Sequence, residues 1–162
     1  MATPLPYALS ALTPREAVMD AVSRMFNGID GNDLGMFNSA LRPEDTDTIF
    51  EVRGASNLVA TGAQEIRTWI FDRVGPMDTT HALSHARVQI SDDARTARVT
   101  ASGMAQHCPP GRGLEPRGPK YMAGGKYSGE LELGDDGLWK IRKFVVEVVW
   151  GDGDESVMQP SV

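Results

Sequence analysis

The chain is short of several things, and each scarcity excludes something. Its 162 residues contain one cysteine, Cys108. No intrachain disulfide can form, so a reducing compartment is the expectation. Positive charge is also scarce. Sixteen Lys and Arg against 22 Asp and Glu leave a net charge of −6, which argues against the basic face of a nucleic-acid binder. No apolar run approaches the length of a membrane span, and the start MATPLPYALSALTP has neither the basic nor the apolar region of a signal peptide. The expectation is a soluble, cytoplasmic protein with a small-molecule partner and no membrane or nucleic-acid partner. Phosphate-binding loops, dinucleotide fingerprints and G-x-S-x-G are missing as well, so no cofactor is expected. An apolar content of 41% over this length builds one core. That predicts a single domain over 1–162, with 1–12 as an N-terminal arm and 153–162 as a C-terminal tail.

What is present begins with a helix near Thr13. Thr13 suits the N-cap, Pro14 the first turn and Glu16 the reciprocal position of a capping box. Ala17, Val18, Ala21, Val22, Met25, Phe26 and Ile29 follow with helical spacing. The Gly and Asx residues of Asn27–Asp33 mark a turn, and Asp30 or Asp33 suits the cap of a second short helix through about Ala40. Strands at 48–52 and 57–60 read as a hairpin, and Ala63–Val74 as a helix closed by Gly75-Pro76. Four long β segments, about 79–91, 95–107, 120–133 and 138–150, complete an α+β domain whose antiparallel sheet curls around a helical layer.

Strand alternation predicts which side chains face inward. Ala97, Val99, Ala101, Gly103, Ala105 and His107 share one parity. Tyr121, Ala123, Gly125, Tyr127, Leu131 and Leu133 share another. In the last strand the parity slips near Arg142-Lys143, predicting a β-bulge, after which Phe144, Val146, Val148 and Trp150 face in. So many small inward residues predict a pocket, with His107, Tyr121 and Tyr127 inside it. His81 and His85 share a face on the first long strand, their direction left open by a possible bulge before Val88. An Asp beside a His fixes the imidazole tautomer and supports its protonated form, and Asp30 is the candidate. The pair His81/His85 lies about 13 Å apart along a strand, too far to share an ion, so no metal is expected. Cys108 alternates outward and reads as structural.

The order of these features resembles the SnoaL-like branch of the nuclear transport factor 2-like superfamily. The resemblance rests on Asn27-Gly28-Ile29-Asp30-Gly31-Asn32-Asp33-Leu34, on Glu65-Ile66 and Trp69-Ile70, and on Thr80-His81-Ala82-Leu83-Ser84. It continues in Gly124-Gly125-Lys126-Tyr127, Asp136-Gly137-Leu138-Trp139-Lys140-Ile141 and Val149-Trp150-Gly151-Asp152. It covers about residues 13–152 and is most similar to scytalone dehydratase, a cofactor-free lyase. The resemblance implies an α+β barrel with a cone-shaped pocket, a homodimer, and Asp30, His81 and His107 as catalytic residues. Ile29 and Val52 stand where the dehydratase has tyrosines that hold a water. The implied function is cofactor-independent isomerisation, cyclisation or rearrangement of an apolar polycyclic substrate in secondary metabolism. Tyr127, Tyr121 and Arg53 would bind developing negative charge on oxygen, and Trp69, Phe26, Val52 and Ile29 the apolar body. Alternative readings are a scytalone-type dehydratase, a non-catalytic binding or scaffold protein, and a small subunit of a ring-hydroxylating dioxygenase.

Overall fold

The computed structural model describes residues 6–42 and 47–159. Helix α1, Pro14–Asp30, starts with the expected capping box: Thr13 Oγ1 accepts from the Glu16 N–H, and the Glu16 carboxylate accepts from the Thr13 N–H at 2.7 Å. Its buried stripe runs from Val18 to Ile29. Arg24 is buried in the same helix, where an unpaired cation would be costly. It donates to Asp20, to Ser39 and to the Trp139 carbonyl, which ties three segments together. Of the two aspartates after α1, Asp33 takes the cap of α2, Leu34–Ser39, by accepting from the Met36 N–H at 2.9 Å. Asp30 is left for another partner.

The sheet comprises β1 (Ile49–Arg53), β2 (Leu58–Thr61), β3 (Asp78–Ile90), β4 (Thr96–Cys108), β5 (Tyr121–Leu133) and β6 (Trp139–Gly153), in the order β2-β1-β6-β5-β4-β3. The long strands form the expected meander. One expectation is corrected: β1 runs parallel to β6, so the sheet is mixed rather than wholly antiparallel. That pairing joins segments far apart in sequence, and no local pattern encodes its direction. The sheet is also not a closed barrel, since β2 and β3 are its edges among the described residues.

Bulges set the curvature. Arg142 is the extra residue between the pairs Glu130↔Lys143 and Leu131↔Ile141, where the parity slip predicts one. A bulge in β3 falls between Ser84 and Arg87, with His85 exposed at φ 53°. Thr79, His81 and Leu83 before it, and Val88 and Ile90 after it, are the half-buried residues of their strand. A further bulge at Val149 overturns one parity assignment. Val148 pairs with Gly125 but Trp150 pairs with Gly124, which puts Trp150 on the outer face, over Gly124. Phe144, Val146 and Val148 stay inside.

Between β2 and β3 the chain forms α3 (Gly62–Ile66), a π-turn (Arg67–Phe71) and α4 (Asp72–Val74) where one regular helix was expected. Ile66, Ile70 and Phe71 are buried, while Trp69 is 42% exposed. After β6, Asp154 Oδ1 accepts from the Ser156 N–H and caps a 3₁₀ turn, Glu155–Met158, so the expected tail is structured through Gln159. The core lies between α1, α2 and the concave sheet face, around Phe26, Phe37, Phe50 and Phe144.

Gly28 marks a close contact between α1 and α2. A Cβ there would sit 2.5 Å from the Phe37 backbone nitrogen. Helix propensity alone predicts that Gly28→Ala stabilises by about 1 kcal/mol. The contact predicts the opposite sign, a loss of about 1–3 kcal/mol, in urea unfolding followed by circular dichroism.

Candidate active site

The concave face and the helices enclose a cavity of about 780 Å³. Its deep end is lined by buried side chains from four elements: Phe26 and Ile29 on α1, His107 on β4, Tyr127 on β5, and the half-buried His81 on β3. Its mouth is made by Trp69 and Arg73, by the prolines at positions 109, 110 and 119, and by residues 154–159.

Asp30 reaches from the end of α1 to β3 and uses both carboxylate oxygens on one residue. Oδ2 accepts from the His81 backbone N–H at 2.8 Å, and Oδ1 lies 2.7 Å from His81 Nδ1. A carboxylate only accepts, so Nδ1 carries a hydrogen, and in the neutral ring Nε2 keeps the lone pair. The ring is held on its other sides by Phe26, stacked at 4.8 Å between centroids, and by His107, edge-on at 5.4 Å. Asp30 itself does not line the cavity. It orients His81 from behind.

His107 is 6% exposed, and its pKa is pushed down to about 4. Burial is the larger cause and the neighbouring His81 the second, opposed by the Tyr121 backbone and by Asp30. At neutral pH it is therefore an uncharged imidazole, and its buried Nδ1 has no hydrogen-bond partner among the described residues. Burial and the nearby Asp30 push Tyr127 up to about 12, so it keeps its proton. Its ring lies over Gly103, where a Cβ would come within 2.4 Å of it. Gly103, expected to leave space, is instead filled by this tyrosine. Ala105 and Ala123 do leave space and line the cavity.

Tyr121, Val52 and Trp69 also line the cavity. Arg53 does not, which corrects its assignment as an oxyanion-binding residue. It is exposed, pairs with Glu51, and alternates with the inward Val52. Cys108 is 1% exposed and buried rather than outward. Among the described residues, no group of three His, Cys, Asp or Glu side chains is arranged to hold a metal ion. Sequence reading missed the mouth residues Arg73 and 154–159. The available signal was Asp154 two residues before Ser156, an Asx cap with nothing helical behind it.

Residues 10–145 match the SnoaL-like domain family. The chain is 36% identical over 160 residues to the terrestric acid biosynthesis cluster protein E of Penicillium crustosum, covering 97% of this chain and 98% of that protein. Solved structures of similar fold include the hexachlorocyclohexane dehydrochlorinase LinA-type3 of Novosphingobium barchaimii. That match has a TM-score of 0.67 at 18% identity, over 87% of this chain and 90% of that one. A Novosphingobium aromaticivorans protein provisionally named scytalone dehydratase matches with a TM-score of 0.67 at 20% identity, over 88% and 91%. At such low identity these two likenesses concern the fold alone. With most of its length matched to the family and a full-length relative besides, the chain belongs to the SnoaL-like family of the nuclear transport factor 2-like superfamily.

Proposed function

We propose that this protein is a cofactor-independent biosynthetic enzyme that isomerises, cyclises or rearranges an apolar, oxygenated substrate by acid–base chemistry. The observation that carries the reading is the Asp30–His81 pair, fixed in one tautomer at the deep end of an apolar cavity. The relative from a biosynthesis cluster supports the setting. His81 Nε2 takes a proton from a carbon made acidic by an adjacent carbonyl, and Asp30 stabilises the imidazolium that forms. Negative charge develops on the carbonyl oxygen. The neutral His107, the protonated Tyr127 and the hydroxyl of Tyr121 are the donors for it. Returning the proton to another carbon isomerises the substrate. Attack of the enolate on a second carbonyl carbon closes a ring, the π electrons of that carbonyl moving to its oxygen, which takes the proton back from His81; loss of a β-hydroxyl, protonated by the same imidazolium, eliminates water.

That last outcome is the dehydratase reading, and the substrate and product masses separate it from the others. In a producing host, alleles carrying His81→Ala or Asp30→Asn should accumulate a precursor, with turnover down by about 10²–10⁴-fold. Precursor and product of equal mass support isomerisation or cyclisation, whereas a difference of one water supports dehydration. Unchanged metabolites in both the His81→Ala and His107→Ala alleles contradict the enzyme reading and leave a binding protein.

The depressed His107 pKa makes a second prediction. The unfolded chain binds a proton at His107 near pH 6.5, and the folded chain only near 4. Folding stability contributed by the neutral ring is therefore complete above about pH 6.5 and is lost as pH falls toward 4. Urea unfolding across this window should show a slope that His107→Gln reduces.

The outer sheet face carries the exposed side chains of Met104 (51%) and Trp150 (43%), and we read it as the contact between two copies of the chain. Sedimentation at micromolar concentration should give a dimer. A monomer there removes this part of the reading.

A further inference from the structure

We propose that Arg73, laid on the Trp69 ring at the cavity mouth, binds an anionic group, a carboxylate or an acidic enolate, carried by the substrate end opposite the reacting carbon. The proposal rests on the reading of this cavity as the substrate site and adds the substrate's charge and its direction of entry.

Arg73 is the only Lys or Arg lining the cavity among the described residues. Its guanidinium carbon sits 4.6 Å from the centroid of Trp69, which lines the same mouth. Stacking fixes the plane of a guanidinium while leaving its N–H groups free to donate at the edge. Nothing within the described chain takes them. Arg67, a little earlier in the same helical segment, is paired with Asp72 at 3.5 Å. Arg53 has Glu51, and Arg112 has Glu115. Arg73 has the indole and, among the described residues, no ion pair. A cation so placed is partly preorganised, because the indole contact already restrains some of the side-chain freedom that is lost when an anion arrives.

The deep end of the cavity has no Lys or Arg to pair with a permanent anion. It presents the Asp30 carboxylate behind His81, a neutral His107 and a protonated Tyr127. A permanent negative charge is better held at the mouth, beside a guanidinium, than among these uncharged hydrogen-bond donors. The mouth also carries acids, but two are engaged elsewhere: Asp72 faces Arg67, and Asp154 Oδ1 accepts from both the backbone and the hydroxyl of Ser156. Glu155 remains as a counter-charge on the 3₁₀ turn at the same rim. Together these features orient the substrate with its carbonyl inward toward His81 and its acid outward on Arg73.

Two dyes of one ring skeleton test this on the intact protein: anilinonaphthalene sulfonate, which carries an anion, and phenylnaphthylamine, which does not. Fluorescence titration of the wild type should show tighter binding of the sulfonate. Arg73→Gln should weaken the sulfonate by about tenfold, the scale of a hydrogen bond to a charged group, and shift the neutral dye by less than about twofold. Arg73→Lys, which keeps the charge, should recover part of the loss. Equal affinity for the two dyes, or an equal effect of Arg73→Gln on both, overturns the proposal. Either result leaves the acid–base reading standing, because the His81 and His107 alleles test that separately.

Discussion

The Asp30 carboxylate is the junction on which both the architecture and the candidate chemistry depend. A carboxylate at the C-terminal end of a helix sits against the unfavourable pole of the helix dipole, so it needs donors from outside the helix. Here β3 provides them, through the backbone N–H and the ring of one residue, His81. The same two hydrogen bonds join the helical layer to the sheet edge and choose the imidazole tautomer. Phe26, four residues earlier on the same helix face, stacks on the ring so held. One turn of α1 thus supplies both the orienting charge and the apolar cover.

The cavity exists because the sheet bends more than its core can fill. Bulges at Arg142 and Val149, and the one between Ser84 and Arg87, shift strand register and curl the long meander around α1. The small side chains of Ala105 and Ala123 leave the resulting space open. Gly103 has the opposite effect, letting the Tyr127 ring lie flat on the strand, in the cavity that His81 and His107 also line. Because the sheet does not close, the π-turn segment and the C-terminal 3₁₀ turn must finish the wall. Those less regular pieces carry the charged rim.

Much of this was legible in the residues because it is local. The capping box at Thr13 and the helical stripe to Ile29 define α1. Alternation puts His107, Tyr121 and Tyr127 on one concave surface, and the parity slip locates the bulge at Arg142. The same alternation from Val52 already turns Arg53 outward, a consequence that the family resemblance obscured. Other features have no local signature. Val149 and its neighbours are uniformly apolar, so no break in pattern marks the second bulge, and Trp150 falls on the wrong face. The parallel union of β1 with β6 depends on which distant strand completes the sheet. The π-turn keeps ordinary helical spacing in its apolar residues, so its widening is invisible in the sequence.

The candidate chemistry turns on one hydrogen atom, the one between Asp30 and His81. A long-range proton–nitrogen correlation spectrum of the protein with labelled histidine reads it directly. The account predicts that neutral His81 is the Nδ1–H tautomer, and that Asp30→Asn converts it to a mixture with the Nε2–H form. His81 found as the Nε2–H tautomer in the wild type would contradict the role of Nε2 as the base.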